Sequence, residues 1–588
     1  MTGIDRRVRI LLLALPLAWL ALKLQWARAI AWDEVEFFRA AKWIADGRVP
    51  FRDFWEHHLP LQWLLFAPFT TFAGSPGTAA IVAMRWAQVP LWIGIFALLL
   101  WMMRRAEIDR DAAWLGVVLL FAAPLFVDSA VEFRLDVPGA LAFLGALAVV
   151  IRRPRSKAAW IAFGALMSAA VLANLRLAYL VAAAGAILPF ADVEERRWRW
   201  NGVALWMLAG IALVVLAFGG WLVGVGAHDE LLLAMRLNVA IDRILAAEAR
   251  TLGPLLLRPF TTLDPAAIVL MLGGLAGAAI ALRDARRPGV LQLLAILAIL
   301  SLLFVARLGV HYPYHLQLTL LLFAPLVAAL LRTDLARKAG LIAIAAIFAV
   351  QFAMLTRAGT FTAMRYQNAV MMEADRRTLP AERVWDGVGY ALRREPAYRY
   401  WFLPSVVRIA AQRGMIPPYD APQMIASPPA AIIHTERIHY WFRQFPAAAG
   451  YATHHYVPLY RDLWVPGLSA TVSPSQRVQW IVPRDGRYRL IASDVLPKHP
   501  WFINPVGYPF LRETSDVGFE VELAQLPPVD RARIRLRVDG VEITGSEVDL
   551  KRGAVVTLES EASELIGVLM VPHDVTTLFI SPDVPVIM

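Results

Sequence analysis

The sequence predicts a polytopic α-helical membrane protein of about 11 transmembrane helices, followed by an extracytoplasmic α/β unit and a β-sandwich. Three observations predict it. Hydrophobic residues make up 58% of the 588 and charged residues only 18%, more apolar surface than a soluble chain can ordinarily hide. Long apolar runs recur through the first 357 positions and then stop. Arginines gather on every second connection between those runs, as cytoplasmic loops require. The formal net charge of +11 follows from those loops and does not point to nucleic acid.

Taken in order, the apolar spans fall near 8–28, 78–103, 112–127, 137–151, 158–173, 177–190, 202–225, 264–282, 289–306, 315–331 and 340–357. Several in the middle are short for full crossings. The segment 61–73, flanked by prolines, reads as a re-entrant piece. Residues 6–26 open like a signal peptide, with Arg6, Arg7 and Arg9 before an apolar run. Near-spanning length and the spans that follow argue against cleavage. With the N-terminus in the cytoplasm, each inside loop carries at least three basic residues, such as Arg104, Arg105 and Arg110 or Arg283, Arg286 and Arg287. The short outside loops carry Arg134, Arg176 and Arg307 singly. The loops 29–77 and 226–263 and the C-terminal region are therefore expected outside.

The expected domains are 1–358, 359–470 and 471–588. In the second, "RVWDGVGYALRR" (383–394) reads as strand, turn and helix, and "AAIIHT" (430–435) as a buried strand. His454, His455 and Tyr456 read as exposed surface. In the third, alternating strands dominate, from "RVQWIVP" (477–483) to "LIGVLMVP" (565–572), and Asp539-Gly540 is a strong hairpin signal. The absence of cysteine excludes disulfides and thiolate metal sites.

The expected topology puts ionisable groups from distant parts of the chain on one face. Asp33, Glu34, Glu56, His57 and His58 fall in the first outer loop. Asp128, Glu132, Arg134 and Asp136 fall in the second, and Asn174 and Arg176 in a very short third turn. Arg307, His311, Tyr312, Tyr314 and His315 precede the tenth span. Such groups at a membrane edge are costly unless used, and carboxylates beside arginines suit proton removal with a departing phosphate. Each also has a plain structural reading. Asp33 and Glu34 suit a helix start, and Asp136 before Val137-Pro138 suits a helix N-cap. Arg134 and Arg176 suit snorkelling, and Tyr312 and Tyr314 an aromatic belt. Adjacent histidines diverge on any regular element, so His57-His58 beside Glu56 reads as a poor chelator. No Gly-x-x-x-x-Gly-Lys-Ser/Thr loop, His-Glu-x-x-His or Gly-x-Ser-x-Gly motif occurs.

Four stretches carry a resemblance: Asp33-Glu34 directly after the first span, "GRVPFRDFWEHHLPL" (47–61), "EFRLDVP" (132–138) and "HYPYHLQL" (311–318). Over about 1–357 the chain resembles the GT-C fold glycosyltransferases, in the bacterial branch of protein O-mannosyltransferases and the lipid A aminoarabinose transferase. The resemblance implies inverting hexosyl or pentosyl transfer from a polyprenyl-phosphate sugar to a lipid, glycan or protein acceptor. It implies the outer face of the bacterial inner membrane, with membrane lipids as surroundings and no nucleic acid. Asp33 would be the base or orient the acceptor, Glu34 would support it or hold the sugar, and Asp136 matches the second acidic position. Glu56 matches the acid of a "Glu-Lys-Pro-Pro-Leu" pattern in which His57 replaces lysine. Arg176 and Arg307 then take over the phosphate, with His58, Arg134, His311, Tyr312 and Tyr314 completing the substrate wall. A divalent cation, Mg or Mn, held by Asp33 and Asp136 is compatible with the resemblance but not required by it. A flippase for a lipid-linked sugar and an envelope-glycan assembly protein are the competing readings.

Overall fold

A computed structural model describes residues 14, 18–24, 29–71, 77–152, 155–198, 200, 202–248, 264–283, 288–307, 312–331, 333–357, 360–459, 462–474, 477–492, 519–523, 533–561 and 566–580. Most of the span expected at 8–28 lies outside these residues, as does His311. The chain divides into two compact units, residues 1–75 with 79–361, and residues 76–78 with 362–588.

The first unit is helical. Its described helices run α1 (Trp32–Ala45), α2 (Leu61–Thr70), α3 (Thr78–Ala87), α4 (Val89–Arg105), α5 (Arg110–Phe121), α6 (Pro124–Ala130), α7 (Asp136–Arg152) and α8 (Lys157–Ala173). They continue as α9 (Ala178–Ile187), α10 (Ala204–Gly224), α11 (His228–Glu248), α12 (Pro265–Leu282), α13 (Val290–Arg307), α14 (Gln317–Leu330) and α15 (Asp334–Arg357). Among the described residues three stretches are long and apolar enough to cross a membrane: Thr78–Arg105, Ala204–Gly224 and Pro265–Leu282. The pair α5 and α6 makes a fourth if it counts as one span, and it is bent by 74°. The expected straight span 112–127 is thus broken. Pro124 has no N–H to continue the ladder, and the freed N–H of Leu125 donates to Asp264 Oδ2 at 2.9 Å.

Small residues let the helices approach. A Cβ on Gly164 of α8 would overlap the carbonyl oxygen of Met207 on α10, and one on Gly210 of α10 would overlap the carbonyl of Ile161. Two helices pressed backbone to backbone gain packing where the hydrophobic effect offers little.

The second unit opens on α16 (Thr360–Arg377) and a five-stranded sheet flanked by short helices. Its strands are β1 (Arg383–Trp385), β2 (Glu395–Pro396), β3 (Ala431–Ile433), β4 (Tyr456–Pro458) and β5 (Leu463–Pro466), in the order β2-β1-β3-β5-β4. The pairs β1/β2 and β1/β3 are parallel and the others antiparallel. The expected helix after β1 does not form. The Asp386 carboxylate accepts the N–H groups of Val388, Gly389 and Ala391, and this local alternative holds the segment in turns. His455 and Tyr456 are buried, not exposed: the His455 ring stacks on Tyr451, and the Tyr456 hydroxyl donates to the Pro429 carbonyl.

Two four-stranded antiparallel sheets follow. With β6 (Leu468–Val472), β7 (Arg477–Ile481), β8 (Gly486–Ala492), β9 (Phe519–Glu522), β10 (Ile534–Val538), β11 (Val541–Ile543), β12 (Glu547–Leu550), β13 (Val555–Ser560) and β14 (Ile566–Pro572), their orders are β12-β8-β14-β6 and β11-β10-β13-β7. Alternate residues, among them Trp480, Tyr488, Leu536, Val556 and Met570, form one core, as a sandwich demands. Asp539 and Gly540 turn the β10–β11 hairpin with φ of 50° and 84°, the primed geometry that Asp-Gly favours.

Candidate active site

The site is built around one guanidinium. Arg134 is 2% exposed and lies in the loop between α6 and α7. Its Nη2 meets Asp33 Oδ2 at 3.0 Å, its Nη1 meets Glu132 Oε2 at 2.9 Å, and its Nε donates to Asp136 Oδ2 at 3.1 Å. The Tyr314 ring lies flat under it, 3.5 Å from the guanidinium carbon to the ring centroid. Burying one cation with three carboxylates and an aromatic face meets the cost of desolvation. It also fixes an acid of α1, one of the α6–α7 loop and one at the start of α7 to a common point.

Asp136 begins α7 instead of capping it. Its second oxygen accepts from Asn174 Nδ2 at 2.8 Å, which joins the short turn after α8 to the same node. Arg176, two residues on, packs over Tyr314 at 5.4 Å. Among the described residues Arg176 makes no carboxylate pair. A cleft is lined by Asp136, Asn174, Arg176 and Tyr314 together with apolar Ala140, Leu177, Val305 and Leu318. Burial pushes the Tyr314 phenol above its ordinary value, so it stays neutral. The side chain of Arg307 is outside the described residues. Tyr312 is half exposed and stacks on Tyr314 with ring centroids 5.3 Å apart.

Glu34 is not open to the cleft. It is fully buried. Both its oxygens take Arg85, at 2.7 Å each, and they also accept the backbone N–H of Phe133 and of Ala31 at 2.9 Å. Glu34 therefore fastens α1, α3 and the α6–α7 loop together. Gln88 and Trp92 add to this by donating to the carbonyls of Glu132 and Ala130.

A second cluster sits in the connection between α1 and α2. The segment Trp55–His58 has irregular backbone, and both histidines turn the same way, with ring centroids 4.0 Å apart. The expectation that adjacent histidines diverge fails because the segment is neither helix nor strand. His57 stacks on Trp55, and its carbonyl accepts from Asn238 Nδ2 on α11 at 2.8 Å. Its Nδ1 lies 3.2 Å from Glu36 Oε1. Burial first, then the neighbouring Glu36 carboxylate, push Glu56 well above the usual carboxylate range.

The structure thus joins Asp33, Arg134, Asp136, Arg176 and Tyr314, and sets Glu56, His57 and His58 in the second cluster. Sequence reasoning missed Arg85 and Glu36. An arginine inside the apolar span 78–103 was the available signal for the first. Glu36 lies two positions beyond the conspicuous Asp33–Glu34 pair and has no signal of its own. The expected Asp33/Asp136 cation site does not fit: the Arg134 guanidinium already fills the space between those carboxylates.

A helical unit with loop-borne acids and arginines clustered at the helix ends, followed by a β-rich unit, is the GT-C architecture. Among solved structures, ArnT from Cupriavidus metallidurans in the apo state matches with TM-score 0.50 and 14% identity, over 78% of this chain and 97% of that one. This likeness bears out the expected GT-C fold, while the described residues hold three or four membrane-length spans against the 11 expected. The Archaeoglobus fulgidus oligosaccharyltransferase tethered with an acceptor peptide gives TM-score 0.45 at 13% identity, covering 79% of this chain and 74% of that one. A scan of protein-family models and a search of curated proteins gave no match.

Proposed function

We propose that the chain is an inverting glycosyltransferase. It moves a hexosyl or pentosyl group from a polyprenyl phosphate to an envelope acceptor on the outer face of the bacterial inner membrane. The observation that supports this reading is the Arg134 node, which gathers three carboxylates beside a cleft lined by both the Arg176 guanidinium and apolar side chains. That polarity suits a lipid phosphate, with the headgroup at Arg176 and the chain along Leu177 and Val305.

Asp33 is the base. Of the three carboxylates on Arg134 its side chain is the most open, 25% exposed against 12% for Asp136 and 4% for Glu132. Its carboxylate takes the proton of the acceptor hydroxyl as the oxygen attacks the anomeric carbon. The bond from that carbon to the phosphate oxygen breaks, and the leaving phosphate keeps the electron pair. Arg176 meets the charge that grows there. Arg134 orients Asp33, and Glu34 is a positioning residue.

Replacing Asp33 with Asn should lower transfer by about 10²–10⁴-fold, the usual weight of one general base. Release of polyprenyl phosphate by membranes carrying Asp33→Asn measures this. Full transfer by the variant refutes the assignment. Mass spectrometry of envelope lipids and glycans from a deletion strain identifies sugar and acceptor.

A further inference from the structure

We infer that Glu36, His57 and His58 form a binding site for a zinc-class divalent cation, separate from the Arg134 node. One ligand atom from each of the three lies within 4.8 Å of the others. The Glu36 Oε1 to His57 Nδ1 distance is 3.2 Å. Ligand atoms around a tetrahedral ion with bonds near 2.0–2.1 Å are about 3.3 Å apart, so this pair already has the needed spacing. A ligand nitrogen of His58 lies within 4.8 Å of both.

Three further features favour a cation here. The donor set, two imidazoles and one carboxylate, is borderline-soft and selects zinc over magnesium or calcium, which prefer oxygen alone. Glu36 and Glu56 are both fully buried within this cluster, and a divalent ion offsets two buried carboxylates better than one imidazole can. The rings are also held in place. His57 stacks on Trp55 at 5.6 Å, and Phe37 packs edge-on to His58 at 5.4 Å. Packing that fixes ring orientation supports a ligand set. Three protein ligands leave one position of a tetrahedron for water or an anion.

The site stands on its own donor atoms, so it holds whether or not the chain transfers sugar. The test uses the full-length chain in detergent, prepared without a histidine tag, stripped with a chelator and reloaded with zinc or cobalt(II). One ion per chain after desalting is expected, with visible ligand-field absorption from cobalt in a low-symmetry N/O site. His58→Ala, at a half-buried position, should weaken zinc binding by at least about 10-fold. Asp33→Asn should retain the full stoichiometry, which separates this site from the transfer centre. A wild-type chain that keeps no ion overturns the inference. So does undiminished binding in His58→Ala, or loss of the ion in Asp33→Asn with His58 intact.

Discussion

Glu34 and Arg85 show how much one residue pair can carry. Both are fully buried, and they meet through two bonds of 2.7 Å. Removing one charge strands the other where water cannot reach it. Glu34→Gln is expected to destabilise the helical unit by about 3–5 kcal/mol, and Glu34→Leu with Arg85→Met by much less, because the pair is then replaced by apolar bulk. Thermal unfolding of the purified chain in detergent distinguishes the two. Asp33, Asp136, Arg134 and Arg176 were legible as one group because the charge distribution put all four at the same ends of the expected spans. Their pairing was not legible. Asp33 reaches a guanidinium 101 positions further along the chain, and no local period encodes such a meeting. The same gap hid the partner of Arg85.

Helix and strand positions were easier to read than their interruptions. The strands of the sandwich alternate cleanly, and Asp539-Gly540 announced its hairpin. The α5–α6 bend and the missing helix after β1 both come from side chains taking backbone N–H groups, Asp264 in one case and Asp386 in the other. Hydrophobic period does not register such captures. The α8–α10 crossing gives a prediction at this scale. Gly210→Ala puts a methyl against the Ile161 carbonyl, whereas Gly219→Ala on the same helix meets nothing within 4 Å. The first should cost about 1–3 kcal/mol by overpacking. The second should be neutral or mildly stabilising by helix propensity. In the five-stranded sheet domain, burial lowers His434 to about 3, and lowers His439 and His455 to about 4, from 6.5. His434 lies between Trp464 and Phe442. The unfolded chain takes up these protons first, so their contribution to stability is full above about pH 6.5 and falls away as the pH drops toward 4. Tryptophan-monitored melts between pH 7.5 and 5 should show the decline, and His434→Phe should flatten it.

For the whole molecule, the arginine pattern predicts a cytoplasmic N-terminus and outer-face C-terminal domains. The chain has no cysteine, so single cysteines report topology without background. With a membrane-impermeant maleimide on intact spheroplasts, Val541→Cys at the exposed β10–β11 hairpin should label. Glu107→Cys, in the turn after α4, should label only after lysis. The reverse result inverts the topology. The Glu34 fastening has a consequence for biogenesis. Its partners are 51 and 99 positions further along the chain. A ribosome adding about 5–20 residues per second supplies Phe133 some 5–20 s after Glu34. During that interval the loop after α1 has been made without the backbone donor that will anchor it. The Glu34 fastening is thus a late event of folding, and arrested chains ending before residue 133 should leave the loop after α1 open to protease.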